Sequence, residues 1–234
     1  MPTFIYQNNE IEYTLTRNAK KNVNFRIKSN GEIAISAPKY VTKAELNKMI
    51  AKRAEWMVQN QAKAKKKKQN SIPQFLQSGN AIFLNGAKYI IKILPDKENK
   101  VTFQENYLVL HIKETHLSSQ EYINHFWEQW QKEIMYYICD KLVDKNLLQL
   151  TKYHLKKPEI TIRTMTSRWG SCIPSKCKIT LNKNLIFPPQ KCLEYVVLHE
   201  LAHLVEANHS KRFYAIIAEI MPDWKERKKI LNDF

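Results

Sequence analysis

An α+β chain is expected, β-rich over residues 1–116 and helical over 117–234, and three observations predict it. Two short runs that alternate apolar and polar residues, Val23-Asn24-Phe25-Arg26-Ile27-Lys28 and Ile33-Ala34-Ile35-Ser36, flank an Asn30-Gly31 pair. Two Ser/Thr-x-x-Glu signatures stand directly before apolar residues spaced by three and four. Strand-like segments also come early and helix-like ones late, which suits segregated layers better than a wound parallel sheet.

In chain order, Asn-Gly between alternating runs is the strongest short hairpin signal, so residues 23–36 read as two antiparallel strands, the second ended by Pro38. Thr42-Lys43-Ala44-Glu45 is a capping box opening a helix with Leu46, Met49, Ile50, Trp56 and Met57 as its apolar stripe. That helix runs out into the basic stretch 63–68. Gly79 and Asn85-Gly86 punctuate a second β region, with Tyr89–Ile93 and Tyr107–Ile112 as core strands around a polar turn at 96–100. A second box, Ser118-Ser119-Gln120-Glu121, opens a long helix carrying Ile123, Phe126, Trp127, Trp130, Ile134, Tyr137 and Ile138. Ile160–Thr164 and Lys178–Asn182 read as strands, with a Gly-bearing turn at Arg168–Cys172 between them. Pro188-Pro189 introduces a helix through about Glu206, and a further helix near Phe213–Met221 breaks at Pro222 before a basic terminal helix. No internal repeat is evident.

Composition narrows the function classes. No run of about 18 apolar residues is present, so nothing is expected to span a membrane. The N-terminus lacks the layout of a secretory signal, and four cysteines without one suggest reduced thiols in a cytoplasmic protein. The net charge is +16. Residues 1–116 hold 20 basic and 9 acidic residues, against 18 and 13 in 117–234, so most of the excess lies in the N-terminal part. Such a field attracts polyanions without naming one. Lys63, Lys65, Lys66, Lys67 and Lys68 are the candidate contacts to nucleic-acid phosphates; a solvated helix end, where cations complement the helix dipole, is the plain alternative.

The chemistry is carried by His199-Glu200-Leu201-Ala202-His203. Four residues are slightly more than one helical turn, so both imidazoles leave the same face close enough to share one ion. Glu200, one step round the helix, can serve as general base towards water without ligating. A catalytic zinc needs a third protein ligand. Three residues compete for that role: Glu206, one turn beyond His203; Glu219, from the following helix; and His209, which requires the helix to end near Ala207. Asn208, which tolerates a left-handed conformation, makes such an end plausible. A histidine is neutral and leaves the ion its full charge for acidifying water, which favours His209.

Arg168-Trp169-Gly170-Ser171-Cys172, Leu181-Asn182, Leu185, Pro188, Tyr195-Val196-Val197, His199 to His203, Asn208-His209-Ser210 and Phe213 follow one another in an order that resembles the YgjP-like metal-dependent hydrolases. That bacterial group has a zincin-type site and is related to the SprT and WLM proteases. The resemblance covers nearly the whole chain; towards the N-terminus it rests on Ile35-Ser36-Ala37-Pro38 and Trp56. It implies a zincin-like metallohydrolase part at 117–234, His199, His203 and His209 as ligands of one zinc ion per chain, and Glu200 as the base. It also implies peptidase-like chemistry or the hydrolysis of nucleotide pyrophosphates. The spacing equals that of the metzincins, but Glu206 stands where they have glycine, so their turn geometry is not carried over.

Three functional readings follow. The first is a zinc metallopeptidase acting on protein or peptide. The second is a nucleoside triphosphate pyrophosphohydrolase, for which no Walker-type phosphate loop is present. The third is a basic nucleic-acid-binding module with a structural zinc, against which Glu200, unnecessary for structure alone, argues. Arg168 is expected to bind an anionic substrate group and Trp169 to wall the pocket. Cys172, Cys177 and Cys192 make a poor zinc set and are expected to be buried thiols. His111, His116, His125 and His154 have no ligand spacing.

Overall fold

A computed structural model describes residues 1–19, 21–28, 30–69 and 76–234, apart from the side chains of Asn9, Lys63 and residues 65–69. The side chains of Lys63, Lys65, Lys66, Lys67 and Lys68 thus lie outside the described residues. The chain forms two compact units, residues 1–71 with 233–234, and residues 72–232. Strands dominate the N-terminal half and helices the C-terminal half, in keeping with the α+β class.

In the first unit, β1 (Thr3–Tyr6), β2 (Asn9–Asn18), β3 (Asn24–Ile27) and β4 (Ile33–Pro38) form a sheet of order β1-β2-β4-β3, followed by α1 (Lys43–Gln69). The expected hairpin is present, with Phe25 opposite Ile35 and Gly31 at φ 85° in its connection. Gln7 and Asn8, both at positive φ, make the tight β1–β2 turn, in residues less obviously suited to it than Asn-Gly. The capping box closes reciprocally. Thr42 N donates to Glu45 Oε2 at 2.8 Å, and Glu45 N donates to Thr42 Oγ1 at 3.3 Å. The helix buries Leu46, Ile50, Ala54 and Met57 on the sheet, whereas Met49 and Trp56 stay 40% and 43% exposed and are not part of the stripe.

In the second unit, β5 (Ala81–Leu84), β6 (Ala87–Asp96), β7 (Lys100–Gln104) and β8 (Tyr107–Lys113) form a sheet of order β5-β6-β8-β7, followed by α2 (Gln120–Gln149). This order matches the first sheet, and so do the directions. In each, the first two strands are antiparallel, the second and fourth parallel, and the last two antiparallel. Each sheet also leads into a helix that buries matched positions, Leu46, Ile50 and Ala54 in α1 and Ile123, Trp127 and Gln131 in α2. A repeated architecture therefore exists where the sequence shows none, because burial pattern and turn geometry recur while residue identities do not. The cap of α2 is Ser119, whose side chain accepts from Tyr122 N, one residue later than the expected Ser118 box. The stripe of α2 also turns away from the expected one, since Tyr137 is 61% exposed while Met135, Cys139 and Val143 are buried.

The partition of contacts at 71/72 differs from the 116/117 boundary expected from sequence. Ile123 and Trp127 of α2 share one core with Ile82, Leu84, Ile91, Leu108 and Leu110. Beyond α2, β9 (Glu159–Arg163), β10 (Gly170–Ile173) and β11 (Lys178–Asn182) make a three-stranded sheet of order β10-β11-β9. The segment expected as a turn thus contributes an edge strand, β10. Three helices follow: α3 (Gln190–Ala202), α4 (Lys211–Ile220) and α5 (Trp224–Leu231). Among the described residues no helix is long and apolar enough to cross a membrane, and all four cysteines are free.

The β5–β6 turn is tied to the loop that starts α3. Asn85 N donates to Ile186 O at 2.7 Å and Gly86 N to Phe187 O at 3.0 Å. Gly86 sits at φ +77°, and a Cβ there would lie 2.8 Å from Pro189 Cγ. Gly86→Ala is therefore expected to combine left-handed strain with a clash at Pro189, lowering stability by about 1–3 kcal/mol. Thermal denaturation checks this, and an unchanged Tm would show that the contact contributes nothing to stability.

Candidate metal centre

Helix α3 is buried on nearly every side: Cys192, Leu193, Tyr195 to Leu198 and Leu201-Ala202 all enter the core. Such a helix has little freedom to rotate, so its polar residues are held where packing puts them. His199 leaves its last turn, and His203 is the capping residue just beyond Ala202. The helix ends earlier than the expected Glu206. Its closing turn is tightened by Leu204 N to Leu201 O and Val205 N to Ala202 O, both 3.0 Å. Asn208 is not at positive φ, so the left-handed stop expected there is not used; the short-range hydrogen bonds replace it. Ser210 then caps α4, its side chain accepting from Phe213 N at 3.2 Å, which holds His209 just ahead of a new helix.

His199, His203 and His209 converge, with one ligand nitrogen from each lying within 4.8 Å of the others. The Nε2 atoms of His199 and His209 are 3.0 Å apart, a spacing at which they either share one proton or face a common cation. His203 Nδ1 lies 3.2 Å from the Glu206 carbonyl, which can only accept, so Nδ1 carries the proton and Nε2 keeps its lone pair. Tyr195 Oη sits 3.5 Å from Nδ1 of His199. Phe213, fully buried, floors the cluster with its ring centroid 4.5–4.9 Å from all three imidazoles. Burial, then the neighbouring imidazoles and Lys228, bring His199 down to about 3, and burial also lowers His203. Neutral imidazoles are the form that ligates.

The rival carboxylates are engaged elsewhere. Glu219 pairs with Lys152 at 2.5 Å, and Glu206 offers the cluster its backbone carbonyl while its carboxylate lies 3.9 Å from Arg212. Glu200 is 5% exposed and its Oε2 has no hydrogen-bond partner among the described residues. Burial pushes this carboxyl up to about 7, with the charge of Arg168 pulling the other way. Three imidazole nitrogens on one side and an unpaired carboxylate oxygen beside them fit a divalent ion of zinc type with an open position.

A cleft of about 460 Å³ opens onto these residues, lined also by Arg168, Gly170, Ser171, Cys172, Pro174 and Ala207. Arg168 lines the cleft, but Trp169 does not wall it; its side chain packs against the core. Both residues lie in the loop just ahead of β10, which turns one side chain to the cleft and the next to the core. Cys172 lines the cleft and is only partly buried, as is Cys177, so these two are not core thiols, unlike Cys139 and Cys192. Burial and the charge of Glu200 push the Cys172 thiol up to about 12, the opposite of an activated nucleophile.

Two contributors escaped the sequence reading. Asn182, 4% exposed, donates to the carbonyls of Met165 at 2.8 Å and Arg168 at 3.1 Å, anchoring the loop that presents Arg168. Lys178-Ile179-Thr180-Leu181 alternates polar and apolar residues and Asn182 continues that pattern, so nothing in the sequence announced its burial. Gly170 leaves the room beside Glu200 that a Cβ would take, 2.6 Å from Oε1, and nothing local in the sequence announces that proximity. The other histidines stay apart from the cluster: His111 bridges Asp96 and Thr102 at 2.9 Å each, and His116 stacks on Tyr122.

A family model described as YgjP-like, metallopeptidase domain, matches residues 21–234. The chain is also similar to the UTP pyrophosphatase of Escherichia coli (strain K12), 32% identical over 76 residues, which are 32% of this chain. The matched stretch spans about half of that relative, 46% of its length.

Proposed function

Since this chain belongs to the YgjP-like family with its metallopeptidase domain, we propose that it is a metal-dependent hydrolase. One observation carries the reading: three imidazoles converge beside a buried carboxylate that has an oxygen without a partner, at the floor of an open cleft. His199, His203 and His209 would hold the ion, with zinc favoured by an all-imidazole donor set. Such an ion supplies Lewis acidity, bringing the pKa of water to about 7 and polarising the substrate oxygen. Glu200 takes the proton from the attacking water at its unpaired oxygen and returns it to the leaving group. Arg168, from the cleft wall, faces the negative charge that develops on the substrate.

The cleft best supports an extended peptide as substrate. Strand β10 is the edge of its sheet and lines the cleft next to His199 and Glu200, so its free backbone groups can pair with a peptide chain. A second reading has its own support: the similar Escherichia coli protein is a UTP pyrophosphatase, and Arg168 would suit a phosphate as well as an oxyanion. Incubating the zinc-loaded protein in parallel with an unfolded protein and with UTP separates them. Peptide fragments support the first reading and released pyrophosphate the second. Neither product would remove the hydrolase reading.

A further inference from the structure

Gly170 opens strand β10 opposite Leu181 and lines the cleft, with α3 directly across from it. A glycine at a strand position usually reflects a special backbone angle, but Gly170 is not among the residues with positive φ. An alanine backbone would fit there, and in a compatible conformation alanine is neutral or mildly stabilising because it restricts the unfolded chain. The obstacle is one side chain. A Cβ at Gly170 would meet Glu200 Oε1 at 2.6 Å, Cγ at 2.9 Å and Cδ at 3.0 Å. Glu200 has little room to retreat, being 5% exposed on a helix packed on nearly all sides.

We propose that Gly170 is a positioning residue whose missing side chain forms the seat of the Glu200 carboxylate, fixing that group between β10 and α3. The inference rests on the hydrolase reading only for its catalytic consequence; the steric relation stands apart from any activity. The seat explains how a carboxylate can be held in place with one oxygen lacking a hydrogen-bond partner among the described residues. The close approach of Gly170 on one side and the packed helix on the other hold it at the cleft that Glu200 lines. Any side chain at position 170 turns the carboxylate out of that position and leaves the three histidines untouched.

The test is a cycle of Gly170→Ala, Glu200→Ala and the double variant in the full chain. Gly170→Ala alone is expected to lower Tm by about 2–6 °C, the range for a modest steric cost in a chain of this size. In the Glu200→Ala background the same change should not lower Tm, since nothing then occupies the space. Equal losses in both backgrounds would overturn the proposal. If Gly170→Ala does not fold, a folded double variant still supports the seat, and failure of both overturns it. A crystal structure of Gly170→Ala should show the Glu200 carboxylate displaced; the parental position would count against it.

Activity provides the second readout. With the substrate that the parent turns over, Gly170→Ala should reduce kcat at least ~10-fold, as expected for a misplaced general base. KM and zinc content should remain as in the parent. Unchanged kcat with a displaced carboxylate would sink the catalytic role of Glu200 while leaving the seat intact. A parent that turns over nothing would sink the hydrolase reading, and the Tm cycle would still decide the inference.

Discussion

Glu200→Gln is expected to keep the parent's zinc content while turnover falls by at least ~10²-fold, about 2.7 kcal/mol of transition-state stabilisation. Glutamine has the size and shape of glutamate, so it fits the same buried space against Gly170. It cannot take a proton from water, which is the role assigned to the carboxylate. The three imidazoles converge without Glu200, and its Oε2 is unpaired, so no metal ligand is lost in the exchange. Metal analysis and steady-state kinetics on one preparation check both halves. Zinc lost along with activity would make Glu200 a ligand and require the roles to be redrawn.

His209→Ala should weaken zinc binding more than the ~10–100-fold typical of removing an outer-shell partner, because it removes one of three donors. Glu206→Gln should hold zinc as the parent does, since the group near His203 is the Glu206 backbone carbonyl, which the exchange preserves. Glu219→Gln should hold it too. That carboxylate pairs with Lys152 on an exposed surface, and such pairs contribute about 0–1 kcal/mol. Competition with a chromophoric chelator ranks the three variants. Zinc retained in His209→Ala, with loss in either glutamate variant, would transfer the third position to that carboxylate.

The placement of these residues shows which signals travel through local sequence. His199 and His203 pair on spacing alone, because the helical repeat puts them on one face. The capping box at Thr42–Glu45 and the Asn30-Gly31 hairpin were equally legible, since each is closed by hydrogen bonds within a few residues. The second box lies one residue later than its signature, because Ser118 and Ser119 offer the same hydroxyl and it is Ser119 that accepts from Tyr122 N. The stripe of α1 departs from the sequence expectation for a related reason. Met49 and Trp56 are apolar, but hydrophobicity does not say which flank of a helix meets a sheet.

By itself the sequence determined the α+β class, the helix bearing His199, Glu200 and His203, and the candidacy of His209. All of these rest on short-range periodicity, turn chemistry and the fixed rise of a helix. Only the tertiary structure decided that β10 is an edge strand beside the cleft, that Trp169 faces the core while Arg168 lines the cleft, and that two sheets share one topology. It alone brought Gly86 against Pro189 and Gly170 against Glu200. A glycine's role in such contacts lies in the atoms it lacks, and the neighbour that fills the space comes from a distant part of the chain. Spacing along the sequence cannot encode that proximity; the packing of strands against a buried helix does.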